Sequence, residues 1–205
     1  MTLIASDCFM LTPAGALHAF ALKSPDDTAM TLQALLTSEH SLSLAAWTAC
    51  NPLAPGLLAG AVERGWVQVL RGSLRGPDAR LDDFLQHVIA SLSGERRAVL
   101  ASEGGFCLGR AGVDQDEAEL LCAAAADYSD FAARQARRGW RGGTRYVAFH
   151  SEPEFLLPDQ AFVPFWVDGA GYWLILAGEP LLNNPALVEL FWGLKLAGTR
   201  FTAIG

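Results

Sequence analysis

The sequence lacks the features that would place the protein in a membrane or on nucleic acid. No run of about 18 uncharged apolar residues occurs, which argues against a transmembrane helix. The first ten residues contain Asp7 and no basic region before an apolar stretch, so they do not resemble a signal peptide. The 15 Lys and Arg against 22 Asp and Glu give a net charge of −7, which argues against a general nucleic-acid binder. We therefore expect a cytoplasmic protein with no membrane contact.

Metal-binding and catalytic patterns are also missing. Cys8, Cys50, Cys107 and Cys122 form no CxxC pair, so we expect four buried, reduced thiols. The four histidines show neither HxxxH nor HExxH spacing, so no metal or other cofactor is expected. The segment 102–105 (SEGG) follows a predicted strand but lacks the GxSxG pattern, and the nearby glycines do not spell GxGxxG. We therefore expect a protein that is not an enzyme.

Apolar and aromatic residues, by contrast, are abundant. Hydrophobic residues make up 51% of the chain and charged residues 18%, so there is ample material for a core. Six Trp and eleven Phe are a rich aromatic supply, of which we expect some in the core and some on binding surfaces. The loop-forming segment GSLRGPD, within residues 71–80, predicts a boundary between domains at 1–76 and 77–205.

The first domain is predicted to combine a hairpin, three short helices and a strand. The segment LQALLTSEHSLSLAAWTACNPLAPGLLAGAVERGWVQVL resembles a winged helix-turn-helix. Its third helix offers only Arg64 as a cation, whereas a DNA-reading helix usually carries several polar and basic residues. DNA binding is therefore disfavoured. The predicted elements are the hairpin Ile4–Leu11 with Ala16–Leu22, helices Thr28–Leu36, Ser41–Cys50 and Pro55–Arg64, and the strand Trp66–Leu70.

The second domain is predicted to be an α+β sandwich. Its order, α-β-β-α-β-β-β-α, favours one mainly antiparallel five-stranded sheet with helices on its face. The predicted elements are the helix Leu81–Leu92, strands Arg97–Ser102 and Phe106–Arg110, the helix Gln115–Arg138, strands Arg145–Phe149, Phe162–Val167 and Tyr172–Ala177, and a last helix after Asn184-Pro185.

This order and three local segments resemble the Roadblock family, which includes dynein light chains and bacterial regulators of Ras-like GTPases. The segments are LDDFLQHVIASLSGERRAVLAS, the hairpin EGGFCLGRAG and the acid-led helix DQDEAELLCAAAADYSDFAARQARRG. The resemblance implies a homodimer in which two sheets join edge to edge and the long helices pack side by side. On that analogy the self-interface contains Ala124, Tyr128, Phe131, Arg145, Val147 and Phe149.

Two features depart from the family pattern. The connection HSEPEFLLPDQ is longer than a hairpin needs, and Pro164 interrupts a strand, where we expect a bulge or a local sheet edge. Two further groups could contact a partner. The basic group is Arg137, Arg138, Trp140 and Arg141, which also suits a solvated helix end. The apolar group is Phe155, Leu156 and Leu157, which could instead cover the sheet.

Three functions remain open from the sequence. The leading hypothesis is a non-enzymatic regulator or adaptor that acts through protein contacts, in particular a regulator or scaffold of a small Ras-like GTPase. The first alternative is a small-molecule sensor similar to PAS and GAF domains, with Phe165, Trp166 and Trp173 lining a pocket. The second is a transcription regulator that uses the winged-helix region.

Overall fold

The computed structural model describes residues 7–78, 81–140, 146–152 and 156–202. The chain divides into two compact units, Met1–Leu81 with Asn183–Gly205, and Asp82–Leu182. The elements in chain order are β1 (Cys8–Leu11), α1 (Pro13–Ala19), α2 (Asp27–Gln33), a 3-10 helix (Ala34–Leu36), β2 (Leu42–Ser43), α3 (Leu44–Cys50), α4 (Ala54–Glu63), β3 (Val67–Leu70), α5 (Leu81–Ala90), β4 (Ala98–Ser102), β5 (Cys107–Ala111), α6 (Gln115–Arg137), β6 (Val147–Phe149), β7 (Gln160–Val167), β8 (Ala170–Ala177) and α7 (Ala186–Thr202).

The N-terminal segment forms a strand and a helix, so the predicted hairpin is wrong; its residues 4–6 lie outside the described part. Thr12 caps α1, because its hydroxyl oxygen accepts a hydrogen bond from the backbone N–H of Gly15 at 3.1 Å. Pro13 follows at the first helical position, which needs no N–H donor. Gly15 lies against the chain entering β3, where an added Cβ would come within 2.0 Å of the Trp66 carbonyl oxygen. The Thr-Pro pair is thus a helix start and not a hairpin turn.

The small antiparallel sheet of the first unit has the order β2-β1-β3. Its succession β2-α3-α4-β3 is compatible with a winged helix-turn-helix, but the strand that completes the sheet is β1, which precedes the helices. After β3, the described residues 71–78 form no second wing strand. Their one strand-like contact is an isolated bridge between Arg75 and His40. The winged-helix resemblance is therefore not confirmed.

The last helix, α7, packs within the first unit. The rings of Phe191 and Phe20 lie 4.8 Å apart, and Trp192 Nε1 donates to the carbonyl of Ser38 at 2.7 Å. Gly76 leaves room for the Trp192 ring, since an added Cβ would lie 2.7 Å from it. The sequence-based division at 76 and 77 assigned this helix to the second domain. Its apolar pattern predicts burial but does not identify the surface that it covers.

The second unit contains a five-stranded sheet with the order β5-β4-β8-β7-β6, in which all neighbours are antiparallel. This confirms the predicted α+β class and its single antiparallel sheet. Helix α6 covers one face, and the cluster between them is formed by Val99, Ala101, Val113, Ala118, Cys122, Ala125, Phe162, Trp173 and Ile175. Burial of these side chains is the main stabilising term that orients α6 on the sheet.

Helix α6 matches its predicted extent to within one residue. Asp114 caps the N-terminus by accepting a hydrogen bond from the backbone N–H of Glu117 at 2.8 Å. Acidic residues occupy the first turn and Arg134 and Arg137 the last, as the helix dipole favours. Gly139, with φ +85°, ends the helix in the left-handed region.

Strands β7 and β8 are joined by the two-residue turn Asp168-Gly169, both with positive φ as a type I′ turn requires. Pro164 pairs with Trp173 of β8 without a register shift. The described residues of β6 pair only with residues 160–162 of β7, so Pro164 faces no described strand on its other side. The bulge expected at Pro164 therefore does not occur between β7 and β8.

The hairpin between β4 and β5 combines a tight turn and a bulge. Ser102 holds the turn, since its hydroxyl accepts from the N–H of Phe106 at 3.0 Å. Gly105, with φ +83°, passes so close to α6 that an added Cβ would lie 3.2 Å from the carbonyl oxygen of Cys122. The register then shifts: Leu100 is opposite Gly109, but Ala101 is opposite Cys107.

Candidate interaction surface

One side of α6 carries a stripe of apolar residues that the sheet does not cover. Ala118, Cys122 and Ala125 are buried against the sheet. Helical spacing places Leu121, Ala124 and Tyr128 beside them, half-buried, and Leu120 and Phe131 farther out. Leu120 is 73% exposed and Phe131 46%. A stripe of this kind on a helix that already covers a sheet has apolar area left for a second contact.

The stripe continues onto the sheet edge formed by β6. Among the described residues β6 has a strand partner, β7, on one side only, so its other side is an open edge. Phe149 on this strand is 47% exposed, and Tyr146 just before it is 44% exposed. We call this continuous area the α6–β6 surface; it comprises Leu120, Leu121, Ala124, Tyr128, Phe131, Val147 and Phe149.

Tyr128 joins the two parts of the α6–β6 surface. Its ring stacks on Phe149 with centroids 6.2 Å apart and meets Phe162 edge-on at 5.2 Å. Phe149 also meets Phe162 edge-on at 5.9 Å. Offset and edge-on arrangements are the favourable ones for aromatic pairs. The exposed ring of Phe149 is therefore held in place by the core below it.

A hydrogen bond fixes the rotation of α6 beside Tyr128. Trp173 Nε1 donates to Ser129 Oγ at 2.7 Å, and Ser129 donates onward to the carbonyl of Ala125 at 3.2 Å. Trp173 is 4% exposed, so its indole N–H requires a protein partner. This hydrogen bond fixes which side of α6 faces the sheet, and it therefore also fixes the direction in which the exposed apolar stripe points.

The α6–β6 surface is close to electrically neutral. Burial raises the pKa of Tyr128, with a smaller contribution from the charge of Asp127. The Tyr128 phenol is therefore uncharged near neutral pH. Glu117 lies on the same side of α6, but its carboxylate is paired with Arg97 at 2.6 Å. A neutral apolar surface suits a protein partner better than a charged ligand.

The structure places the predicted site residues in different settings. Tyr128 contacts Phe149 directly, and Val147 packs on the same core cluster, together with Ala124. Arg145 lies outside the described residues. Leu120 is a member of the surface that was not among the predicted site residues. In the sequence, Leu120 and Leu121 form an apolar pair within a helix that begins with acidic residues, and this pair could have indicated an apolar contact on α6.

The second predicted surface is also exposed where the structure describes it. Arg137 and Arg138 lie at the end of α6, and Trp140 just beyond it is 58% exposed. Leu156 is 95% exposed and Leu157 52%. Arg141 and Phe155 lie outside the described residues.

Among the described residues, the core cluster packs between α6 and the sheet. A void of about 10 Å³ lies near Val99, Val113 and Leu121, which is at the lower limit for a single water molecule. Phe165 and Trp173, proposed as lining one pocket, lie on opposite faces of the sheet because side chains alternate along β7 and β8. They cannot line the same cavity.

A cavity of about 450 Å³ opens on the surface of the second unit beside the connection that precedes β7. Its lining is acidic, and hydrogen bonds from Ser151 lower the pKa of the Asp159 carboxyl. The lining residues are Gly94, Glu95, His150, Ser151, Glu152, Leu157, Pro158, Asp159, Gly178 and Glu179.

No group of three or more His, Cys, Asp and Glu in the described part of the chain is arranged to hold a metal ion. No described helix is long and apolar enough to cross a membrane. Cys8 and Cys122 are buried as expected, but Cys50 and Cys107 are exposed, which corrects the prediction of four buried thiols.

Comparisons with known proteins give a likeness of structure only. No protein-family model matches the chain, and no curated protein matches it. The Roadblock/LC7 domain from Streptomyces avermitilis is 20% identical, with 62% of this chain and 100% of that chain covered and a TM-score of 0.38. MglB from Myxococcus xanthus is 11% identical, with 61% of this chain and 98% of that chain covered and a TM-score of 0.37.

Proposed function

We propose that this protein is a non-enzymatic regulator or adaptor that forms a homodimer through the α6–β6 surface. The supporting observation is the continuity of that surface, which runs from exposed apolar residues of α6 through Tyr128 to the open edge of β6. A second copy of the same chain would pair edge to edge at β6 and cover the stripe on α6. Such a contact is isologous, because each copy offers the same patch.

The geometry also supplies a matched control. Phe149 and Phe106 are both exposed phenylalanines, but Phe106 lies in the β4–β5 hairpin at the other edge of the sheet. In the proposed dimer, Phe149→Asp places a charge in the interface, whereas Phe106→Asp leaves the interface unchanged.

The test is multi-angle light scattering after size exclusion at micromolar concentration. We expect the native chain and Phe106→Asp to have twice the chain mass and Phe149→Asp to have the mass of one chain. Circular dichroism must show that both variants are folded. A native protein that stays monomeric, or a Phe149→Asp variant that stays dimeric, would contradict the proposal.

We propose further that the partner of this dimer is a small Ras-like GTPase. This step rests on the sequence resemblance to the Roadblock family, carried by the segments around the β4–β5 hairpin and α6. Arg137 and Arg138, with Trp140 exposed next to them, form a basic and aromatic surface suited to an acidic partner. No arginine finger is assigned, so regulation would act by ordering the partner's own catalytic residues.

The GTPase step has its own test. Ras-like GTPases of the same organism, loaded with GDP or with a non-hydrolysable GTP analogue, would be titrated with the dimer in a calorimeter. We expect binding that prefers one nucleotide state and weakens at least tenfold with Arg137→Glu and Arg138→Glu combined. Absence of binding in both states would remove the GTPase step and leave the dimer untouched.

We propose that the first unit provides a second protein contact and does not read DNA. Arg64, the one cation at the end of α4, lies over the ring of Trp66 at 4.9 Å. The Trp66 ring in turn stacks on His18 at 3.9 Å. An arginine engaged in this way is poorly placed to contact a phosphate or a base edge. A polarisation titration with duplex DNA at low salt should show no binding above the background of an acidic protein.

A further inference from the structure

Two cysteines, Cys107 and Cys122, lie on the side of the five-stranded sheet that α6 covers. Cys107 of β5 is directly opposite Ala101 of β4, and opposed residues of an antiparallel pair share a face. Ala101 belongs to the core cluster beneath α6, and so does Cys122. Cys107 therefore points to the side of the sheet on which α6 lies.

The bulge in β5 is what gives Cys107 this direction. One residue back along β4, Leu100 is opposite Gly109, whose added Cβ would meet Leu85 of α5 at 3.0 Å. Gly109 thus faces α5. With strict alternation Cys107 would face α5 as well, but the extra residue, Leu108, turns it toward α6.

The hairpin and α6 are in close contact at this point. An added Cβ on Gly105 would lie 3.1 Å from the Cβ of Ala126 and 3.2 Å from the carbonyl oxygen of Cys122. Burial raises the pKa of Cys122 to about 12, and the charge and a side-chain hydrogen bond of Cys107 contribute to the rise. The Cys107 thiol is exposed and donates to the Gly109 carbonyl at 3.8 Å, and the Cys122 thiol is 2% exposed.

We propose that Cys107 and Cys122 form a reversible disulfide that links the edge strand β5 to α6 under attack by a hydroperoxide. The exposed thiol meets the oxidant, and the buried thiol resolves the product. This is a modification site, and it does not depend on the proposed dimer, because β5 and the open edge of β6 are at opposite ends of the sheet.

The chemistry is a two-electron oxidation of two thiols. The Cys107 thiol releases its proton and its sulfur attacks one oxygen of the hydroperoxide. The O–O bond breaks to leave a sulfenic acid, and the departing hydroxide or alkoxide takes up the released proton to give water or an alcohol. The Cys122 sulfur then attacks the Cys107 sulfur, the S–O bond breaks, and the leaving hydroxide takes the Cys122 proton to give water. A thiol reductant restores both cysteines and is itself oxidised.

The linkage can be read directly by mass spectrometry. Trypsin cuts after Arg97, Arg110 and Arg134, so Cys107 and Cys122 fall in the separate peptides 98–110 and 111–134. The full chain would be treated with hydrogen peroxide, alkylated to block free thiols and digested without reductant. We expect these two peptides as a linked pair, lighter than their sum by two hydrogen atoms, and as separate alkylated peptides after reduction.

Cysteine variants distinguish this bond from other oxidation products. Cys50 is also exposed but lies on α3, so Cys50→Ser should leave the linked pair unchanged. Cys107→Ser is a surface change that should abolish the pair while the chain stays folded. If the native chain shows only over-oxidised Cys107, or links Cys107 to another cysteine, the proposal fails. The light-scattering mass should be the same before and after oxidation, so failure here is separate from failure of the dimer.

Discussion

The ring of Tyr128 stacks on that of Phe149 with centroids 6.2 Å apart, so one contact joins α6 to the edge strand β6. Phe149 leaves nearly half of its surface exposed, and Tyr128 also meets Trp173 at 5.9 Å. The candidate interface is thus continuous with the core. A substitution in the core beneath it should therefore alter the positions of the exposed side chains.

Replacing Tyr128 with alanine should destabilise the fold and, with it, the proposed dimer. The change removes ring contacts with Phe149, Phe162 and Trp173, and for a half-buried aromatic we expect a loss of roughly 2 kcal/mol in the free energy of unfolding. Denaturant unfolding followed by tryptophan fluorescence measures the loss. Tyr128→Phe keeps the ring and should change little, and an equally large loss in that variant would point to the hydroxyl instead.

The raised pKa of Tyr128 predicts a loss of stability at high pH. Because burial raises the pKa in the folded state above its ordinary value near 10, the unfolded chain loses the proton first. The stabilising contribution is full below pH 10 and disappears as the pH rises through the folded-state pKa. Melting temperatures between pH 9 and 11 should therefore fall less steeply for Tyr128→Phe than for the native chain. Parallel curves would show that Tyr128 does not contribute.

Removing the Trp173 hydrogen bond should loosen α6. Trp173→Phe keeps most of the apolar contact but leaves Ser129 without its donor, so we expect a loss of about 1–2 kcal/mol in the free energy of unfolding. Ser129→Ala removes the same bond from the other side. In a double-mutant cycle, the double variant should lose less free energy of unfolding than the sum of the two single losses. A loss equal to that sum would show that the bond contributes nothing.

Two adjacent glycines in the β4–β5 hairpin should respond differently to alanine. At Gly105 the φ is +83° and the added Cβ would lie 3.1 Å from the Cβ of Ala126, so Gly105→Ala should cost about 1–3 kcal/mol. At Gly104 the nearest atoms are at 3.7 Å, so Gly104→Ala should cost much less. Thermal unfolding of the two variants decides this, and equal losses would contradict the close approach of the hairpin to α6.

Truncation of Phe191 should weaken the N-terminal unit. Phe191→Ala removes the ring that lies 4.8 Å from Phe20, and we expect a loss of about 3 kcal/mol for a fully buried phenylalanine. Hydrogen exchange should rise first in α1 and β1. If it rises first in β7 and β8 instead, α7 belongs with the five-stranded sheet, as the sequence-based division at residue 77 proposed.

Much of the second unit could be predicted because its signals are local. The ends of α6 are set by Asp114, Arg137 and Gly139, which act on neighbouring backbone groups. The turn Asp168-Gly169 is likewise visible in the sequence. Near the start of the chain, Thr12-Pro13 carried the correct helix signal. The hairpin was predicted instead because Pro13-Ala14-Gly15 was interpreted as its turn.

The missed features depend on contacts between distant residues. The pattern of α7 indicates a buried face, but only the structure shows that Phe191 meets Phe20. In the candidate interface, Tyr128 and Phe131 came from the family resemblance and not from periodicity, and the exposure of Leu120 is set by which side of α6 the sheet covers. The orientation of Cys107 depends on a single extra residue in β5, which no short sequence pattern specifies.

The placement of α7 has a consequence for biosynthesis. The unit that contains β1 also needs Phe191 and Trp192, so it cannot finish folding until α7 has left the ribosome. The antiparallel sheet, whose strands all come from the middle of the chain, can form earlier. The first unit therefore begins before the five-stranded sheet in the chain but is completed after that sheet can form.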